Sequence, residues 1–212
     1  WRSAIRKELH SLIYIRKVWK KIQRSEIPKG RRCVKSKWVF AIKRSGLFKV
    51  RLVACGYTQI PGVDFTESYA PVINDVSWRI LIIAMLLWNL DAMIVDVETA
   101  FLYGDLDEDI YMICSEIHES DEALHLLHSI YGLVQAARQY YKKFVQKLRK
   151  IGFTGGYPDP CLMRRRNDKG ICFIAIWVDD SLLIGHKEAI DQTIEDLKAE
   201  DFCLKLEGKL DD

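Results

Sequence analysis

The sequence predicts an α+β protein, and three observations carry that prediction. Apolar residues recur at helical spacing in Trp1, Ile5, Leu9, Leu12 and Ile13, and again in Tyr140, Phe144 and Leu148. Residues 38–43 and 49–55 alternate with period two around a turn at Ser45-Gly46, the pattern of a β-hairpin. Asp179 and Asp180 interrupt a stretch from Ile171 to Ile184 that is otherwise almost wholly apolar, which reads as a second hairpin with carboxylates at its tip.

In chain order, the first element is a short basic amphipathic helix, followed by a turn at Pro28-Lys29-Gly30 and the first hairpin. Pro61-Gly62 and Pro71 punctuate a loop. Asn74 or Asp75 then caps a helix over 76–89, expected to be buried because 80–88 is apolar, yet far shorter than the roughly 20 residues that span a bilayer. Residues 92–97 form a short apolar strand ending in acid. The acidic, mixed segment 104–128 shows weak periodicity. A helix over 135–151 stops at Gly152. Strands 171–178 and 181–184 flank the acidic turn, and Ile190, Ile194 and Leu197 mark a last helix.

Composition narrows the class. Nearly half the 212 residues are hydrophobic, which excludes a disordered chain and permits a sizeable core. The six cysteines form no CxxC pair and lack the spacing of a secreted disulfide scaffold, so reduced thiols and an intracellular setting are expected. The N-terminus shows no apolar run with a cleavage site, so neither a secretory leader nor a membrane partner is expected. The net charge of +3 conceals a polarity: residues 1–51 carry 17 Lys and Arg against two acids, and the remainder is acidic. A basic lobe facing phosphates and an acidic lobe holding cations would divide in this way; so would a solvated basic helix face.

Asp179 and Asp180 hold a turn with no glycine, where hairpins more often use Asn-Gly or Asp-Gly, and this suggests selection for charge. Asp96 closes a second apolar strand. If the two strands are neighbours with the same end in common, three carboxylates converge and repel unless divalent cations neutralise them. Hard oxygen ligands favour Mg²⁺, and two such ions support in-line phosphoryl displacement.

At this point the sequence resembles a known family. The run Val95-Asp-Val-Glu-Thr-Ala-Phe-Leu-Tyr-Gly104 is similar to the LDVKTAFLNG block of Copia-type retrotransposon reverse transcriptases, and Trp177-Val-Asp-Asp180 stands at their YVDD box. Lys37-Trp-Val, the run from Lys49 to Gln59, that from Val63 to Val72, Tyr131-Gly-Leu-Val-Gln-Ala136 and the tail from Phe202 to Leu210 follow in family order. The resemblance covers nearly the whole chain. It departs where Trp177 replaces Tyr, where Ala137 replaces Pro, and where the stretch after Tyr111-Met112 is shortened.

The resemblance implies a right-hand polymerase fold: fingers at 1–71 and 104–135, palm at 72–103 and 136–212, the palm an antiparallel sheet packed on helices. The thumb and ribonuclease H are expected to be missing, leaving a polyprotein fragment or a decayed copy. It implies an RNA-directed DNA polymerase with two Mg²⁺ ions (Mn²⁺ as substitute), an RNA template, a DNA or RNA primer and dNTPs. Integrase and ribonuclease H are the expected polyprotein partners, in the cytoplasm within a virus-like particle and in the nucleus. The implied catalytic acids are Asp96, Asp179 and Asp180, with Val97 joining them around metal. Lys49, Arg51, Thr99, Ala100, Phe101 and Gln135 would meet the nucleotide, with Phe101 as the gate against a ribose 2′-hydroxyl and Lys43 a weaker candidate. Trp177 and Val178 would support the primer terminus. Arg164-Arg165-Arg166 reads as a charged loop, and His118, His125 and His128 receive no role. Two other readings stand beside this one: a non-catalytic nucleic-acid-binding remnant, and a nucleotidyl transferase that uses no template.

Overall fold

A computed structural model describes residues 1–114, 121–155 and 157–209; His118 lies outside them. In chain order come α1 (Arg2–His10), a π-helical turn, β1 (Trp19–Gln23), β2 (Cys33–Ile42), β3 (Phe48–Ala54), α2 (Asp75–Leu87) and β4 (Asp91–Val97). β5 (Asp105–Ile113), β6 (Glu122–His128), α3 (Ala136–Lys150), β7 (Thr154–Gly155), β8 (Leu162–Asn167), β9 (Gly170–Trp177), β10 (Asp180–Gly185), α4 (Lys187–Ala199) and β11 (Leu204–Lys209) follow. The α+β class is as expected. Two compact units result, Trp1–Tyr69 with Phe101–Tyr140, and Ala70–Ala100 with Tyr141–Asp212.

The first unit holds a five-stranded sheet in the order β1-β6-β5-β2-β3. Alternation decides the faces of β3: Val50, Leu52 and Ala54 are buried, and Lys49, Arg51 and Val53 between them are not. Leu12, Val34, Leu52, Ile110, Met112, Leu124 and Ile130 build the core against this sheet. The segment from 105 to 128 holds two strands that weak periodicity concealed. Between Asp105 and Ile110 the β5–β6 register is broken, and it is there that the acids sit; only the following Ile110, Tyr111 and Met112 are buried. β3 is an edge strand, and the Ala54 N–H donates to the Tyr131 carbonyl at 2.7 Å. Gly132 makes that approach possible: at φ +85° a Cβ there would stand 2.2 Å from the Ala54 carbonyl oxygen.

The second unit holds the six-stranded sheet β11-β4-β10-β9-β8-β7, antiparallel throughout. α4 packs on β9 and β10 through Ala189, Ile190, Ile194 and Leu197. Three expectations need correction. Residues 164–166 form strand rather than loop; Arg165 points inward, donating to Asp196 at 2.5 Å and to Thr193 at 2.8 Å. The tight turn lies at Val178-Asp179, with Asp180 opening β10 opposite Trp177. The helix over 76–89 does form, and Asn74 caps it by accepting the Val76 N–H at 2.8 Å. It is not buried, however: Leu81 alone is, while Ile80, Ile83, Leu86, Leu87 and Trp88 are exposed. Apolar composition states a preference for burial and cannot supply the partner.

Candidate active site

β4 and β10 bring the acids together. Asp96 and Asp180 are directly opposed across the two strands, so their side chains leave the sheet on one face. The intervening hairpin carries Asp179, whose carbonyl oxygen accepts the Val97 N–H at 3.1 Å and ties the turn to β4. Val97, with only 2% exposure, contributes main chain rather than side chain here.

Two β-branched residues beside the acids hold left-handed backbone: Val178 at φ +55° and Thr99 at φ +57°. Such residues avoid this region, and the surrounding structure must over-determine it. In the two-residue turn the cause is visible, since joining right-twisted strands needs a positive φ and the sequence offers no glycine. Thr99 follows β4, and its buried hydroxyl has no hydrogen-bond partner among the described residues. Strain and an unsatisfied donor therefore adjoin the carboxylates, which is where such costs are tolerated in functional sites. Ala100 is buried, and Trp177 stands 49% exposed at the end of β9.

The electrostatics confirm proximity. Burial raises the pKa of Asp96, and Glu207 and Asp179 raise it further while Lys205 opposes them. Asp180 is raised by burial, then by Asp179, Asp96 and Glu207. Lys205 and Glu207 were missed by sequence reasoning. β11 places Lys205 opposite Asp96, and its ammonium is paired with Glu207. Alternation in Leu204-Lys-Leu-Glu207 was the available signal. Cys203 lies alongside, its thiol 3.1 Å from Glu98.

Among the described residues, no three His, Cys, Asp or Glu side chains cage an ion by themselves. Two mutually repelling carboxylates on one face, with a third in the adjoining turn, suit a hard cation that keeps water and completes its shell from substrate phosphates, as Mg²⁺ does. The donor set fits.

The other nominated residues lie in the first unit. Lys49 and Arg51 share one face of β3, and the Arg51 guanidinium lies 4.8 Å from the centre of the Tyr131 ring. Lys43 caps the hairpin turn, where its N–H and carbonyl bond Leu47 and Gly46. Phe101 is partly buried, edge-on to Tyr131 at 5.6 Å and Tyr140 at 6.5 Å. Gln135 departs from expectation. It is fully buried, its amide donating to the Asp64 carbonyl at 2.9 Å and accepting from Gln59 at 3.0 Å. Both ends of the amide are committed inside the unit, so Gln135 is a strut and not a nucleotide contact. His125 bonds Asp109 at 3.0 Å and His128 pairs with Asp105 at 3.4 Å, in keeping with neither having been nominated.

Comparison with known proteins adds a second line of support. Residues 16–212 match the family described as reverse transcriptase (RNA-dependent DNA polymerase). The chain is 35% identical over 190 residues to the retrovirus-related Pol polyprotein from transposon TNT 1-94 of Nicotiana tabacum, covering 85% of this chain and 14% of that protein. It is 29% identical over 214 residues to the Pol polyprotein from transposon RE1 of Arabidopsis thaliana (97% and 14%), and 28% identical over 186 to the Ty1-BL Gag-Pol polyprotein of Saccharomyces cerevisiae (85% and 10%). The chain thus spans a small part of these relatives. A foamy viral protease–reverse transcriptase solved in complex with double-stranded DNA superposes with a TM-score of 0.42 at 12% identity, covering 92% of this chain and 28% of that one. The chain belongs to the reverse transcriptase (RNA-dependent DNA polymerase) family, as a Copia-type domain of the kind carried by transposon Pol polyproteins.

Proposed function

We propose that this domain performs RNA-directed DNA synthesis by two-metal nucleotidyl transfer. The observation that carries the reading is the direct opposition of Asp96 and Asp180 across β4 and β10, with Asp179 in the connecting turn. Bound Mg²⁺ would supply charge neutralisation and activation of the primer hydroxyl. Asp96, Asp179 and Asp180 would hold it, with the Val97 main chain beside them. The chain's own contribution is position and electrostatics, with little covalent chemistry.

The first unit corresponds on this reading to fingers and the second to palm. Lys49 and Arg51 grip the triphosphate, the guanidinium taking two oxygens at once. Thr99 and Ala100 line the approach to the nucleotide, and Phe101 excludes a 2′-hydroxyl by bulk. Trp177 and the strained Val178 support the primer terminus. The 17 Lys and Arg of residues 1–51 provide for RNA phosphates. The setting is a Pol polyprotein with integrase and ribonuclease H, in cytoplasmic particles and the nucleus.

The test is primer extension on an RNA template with Mg²⁺ and dNTPs. The expected result is incorporation that Asp96→Asn, Asp179→Asn or Asp180→Asn reduces at least about 10²-fold, the scale on which electrostatic groups act. Extension indifferent to all three substitutions refutes it. The basic first unit favours one other outcome: salt-sensitive RNA binding that survives the triple substitution, with no synthesis, identifies a binding remnant.

A further inference from the structure

We infer that Glu8 is a positioning residue for the nucleotide grip on β3, a resident counter-charge that Lys49 and Arg51 face until a triphosphate displaces it. The inference rests on reading those two cations as phosphate ligands. β3 is the free edge of its sheet, so its outward N–H groups need acceptors from elsewhere. Ala54 finds the Tyr131 carbonyl; Leu52 finds Oε1 of Glu8, at 3.3 Å. α1 packs on β3 and delivers that carboxylate half-buried against the strand.

One backbone N–H explains an acceptor there but not a charged one. Burial raises the pKa of Glu8, a cost that a glutamine would avoid while offering the same oxygen. Against that cost stand the Leu52 bond and the charges of Arg51 and Lys49, all of which favour the carboxylate. Arg51 meets the Tyr131 ring as well, so aromatic face and carboxylate together hold the guanidinium where a phosphate would meet it. An anion already in the field of two cations reduces what a second anion gains by arriving. Glu8 therefore pre-orients the grip and keeps triphosphate exchange rapid.

Binding of Mg-dTTP to the 212-residue chain, followed by calorimetry, tests this. Glu8→Gln keeps an acceptor for Leu52 and loses the charge. It should tighten binding about fivefold at low salt, an advantage that shrinks at high salt, with the melting temperature within about 2 °C. Glu8→Ala should tighten binding similarly while melting lower, because the edge N–H loses its acceptor. In an Arg51→Ala background the gain from Glu8→Gln should shrink by half or more, the mark of direct coupling. Unchanged or weaker binding by Glu8→Gln overturns the inference and leaves Glu8 a sheet-edge cap. If Arg51→Ala and Lys49→Ala leave wild-type affinity untouched, the grip itself is wrong, and the inference falls with it.

Discussion

Asp96 and Asp180 give the metal-free protein a pH dependence whose sign is fixed. Both carboxyls have raised pKa values in the folded chain, from burial and from neighbouring acids. A group that holds its proton more tightly when folded opposes folding once ionised. The penalty is absent below the ordinary aspartate value, grows as pH rises through the raised values and is complete above them. The midpoint of denaturation without divalent ions should therefore fall from about pH 4 to pH 7 more steeply than in Asp180→Asn; Mg²⁺ should recover the lost stability in wild type and little of it in the variant. An identical pH slope in both proteins would contradict this. Val178 makes a second case. Glycine at φ +55° relieves the strain of a branched side chain, so Val178→Gly should gain about 1 kcal/mol in urea unfolding, and a loss would show that Val178 packing outweighs its backbone. The acids were legible in the sequence because charge inside an apolar run has no structural motive. Glu207 was not, because its relevance depends on β11 pairing with β4, a contact across more than a hundred residues. Gln135 was misread for a related reason: a motif names a residue type, whereas its partners Gln59 and Asp64 come from folding.

Elements were readable where local pattern and burial coincide. The hairpin of β2 and β3, the Asn74 cap and the limits of α3 all follow from residues close together in sequence. β5 was not readable, because it pairs in parallel with β2 some 75 residues earlier, and its acids occupy the unpaired part of the strand. α2 separates the two kinds of information in one helix. Leu81→Ala should destabilise by about 2–5 kcal/mol, since Leu81 is 3% exposed. Ile83→Lys, at 56% exposure, should cost under about 0.5 kcal/mol. Chemical denaturation compares them directly, and equal losses would mean that the outer face of α2 is covered in solution.

At the scale of the molecule, two units share one chain that passes between them three times, at 69/70, 100/101 and 140/141; the sequence division was set at 71, 103 and 135. If the carboxylates are the metal site, Mg²⁺ should slow hydrogen exchange in β4 and β10 while leaving β1, β5 and β6 unchanged. Uniform protection across both sheets would point to cation binding elsewhere. The shared chain also bears on synthesis. β4 has two sheet neighbours, β10 and β11, and both lie toward the C-terminus. At ribosomal rates of about 5–20 residues per second, Asp96 emerges roughly 4–17 s before Asp180. Through that interval Ala92-Met-Ile-Val95 is a nascent apolar strand without its mates, the kind of segment that seeds aggregation. Asp91 and Asp96 bracket it like gatekeepers, so the carboxylate assigned to metal in the finished protein would first serve to keep an orphan strand soluble.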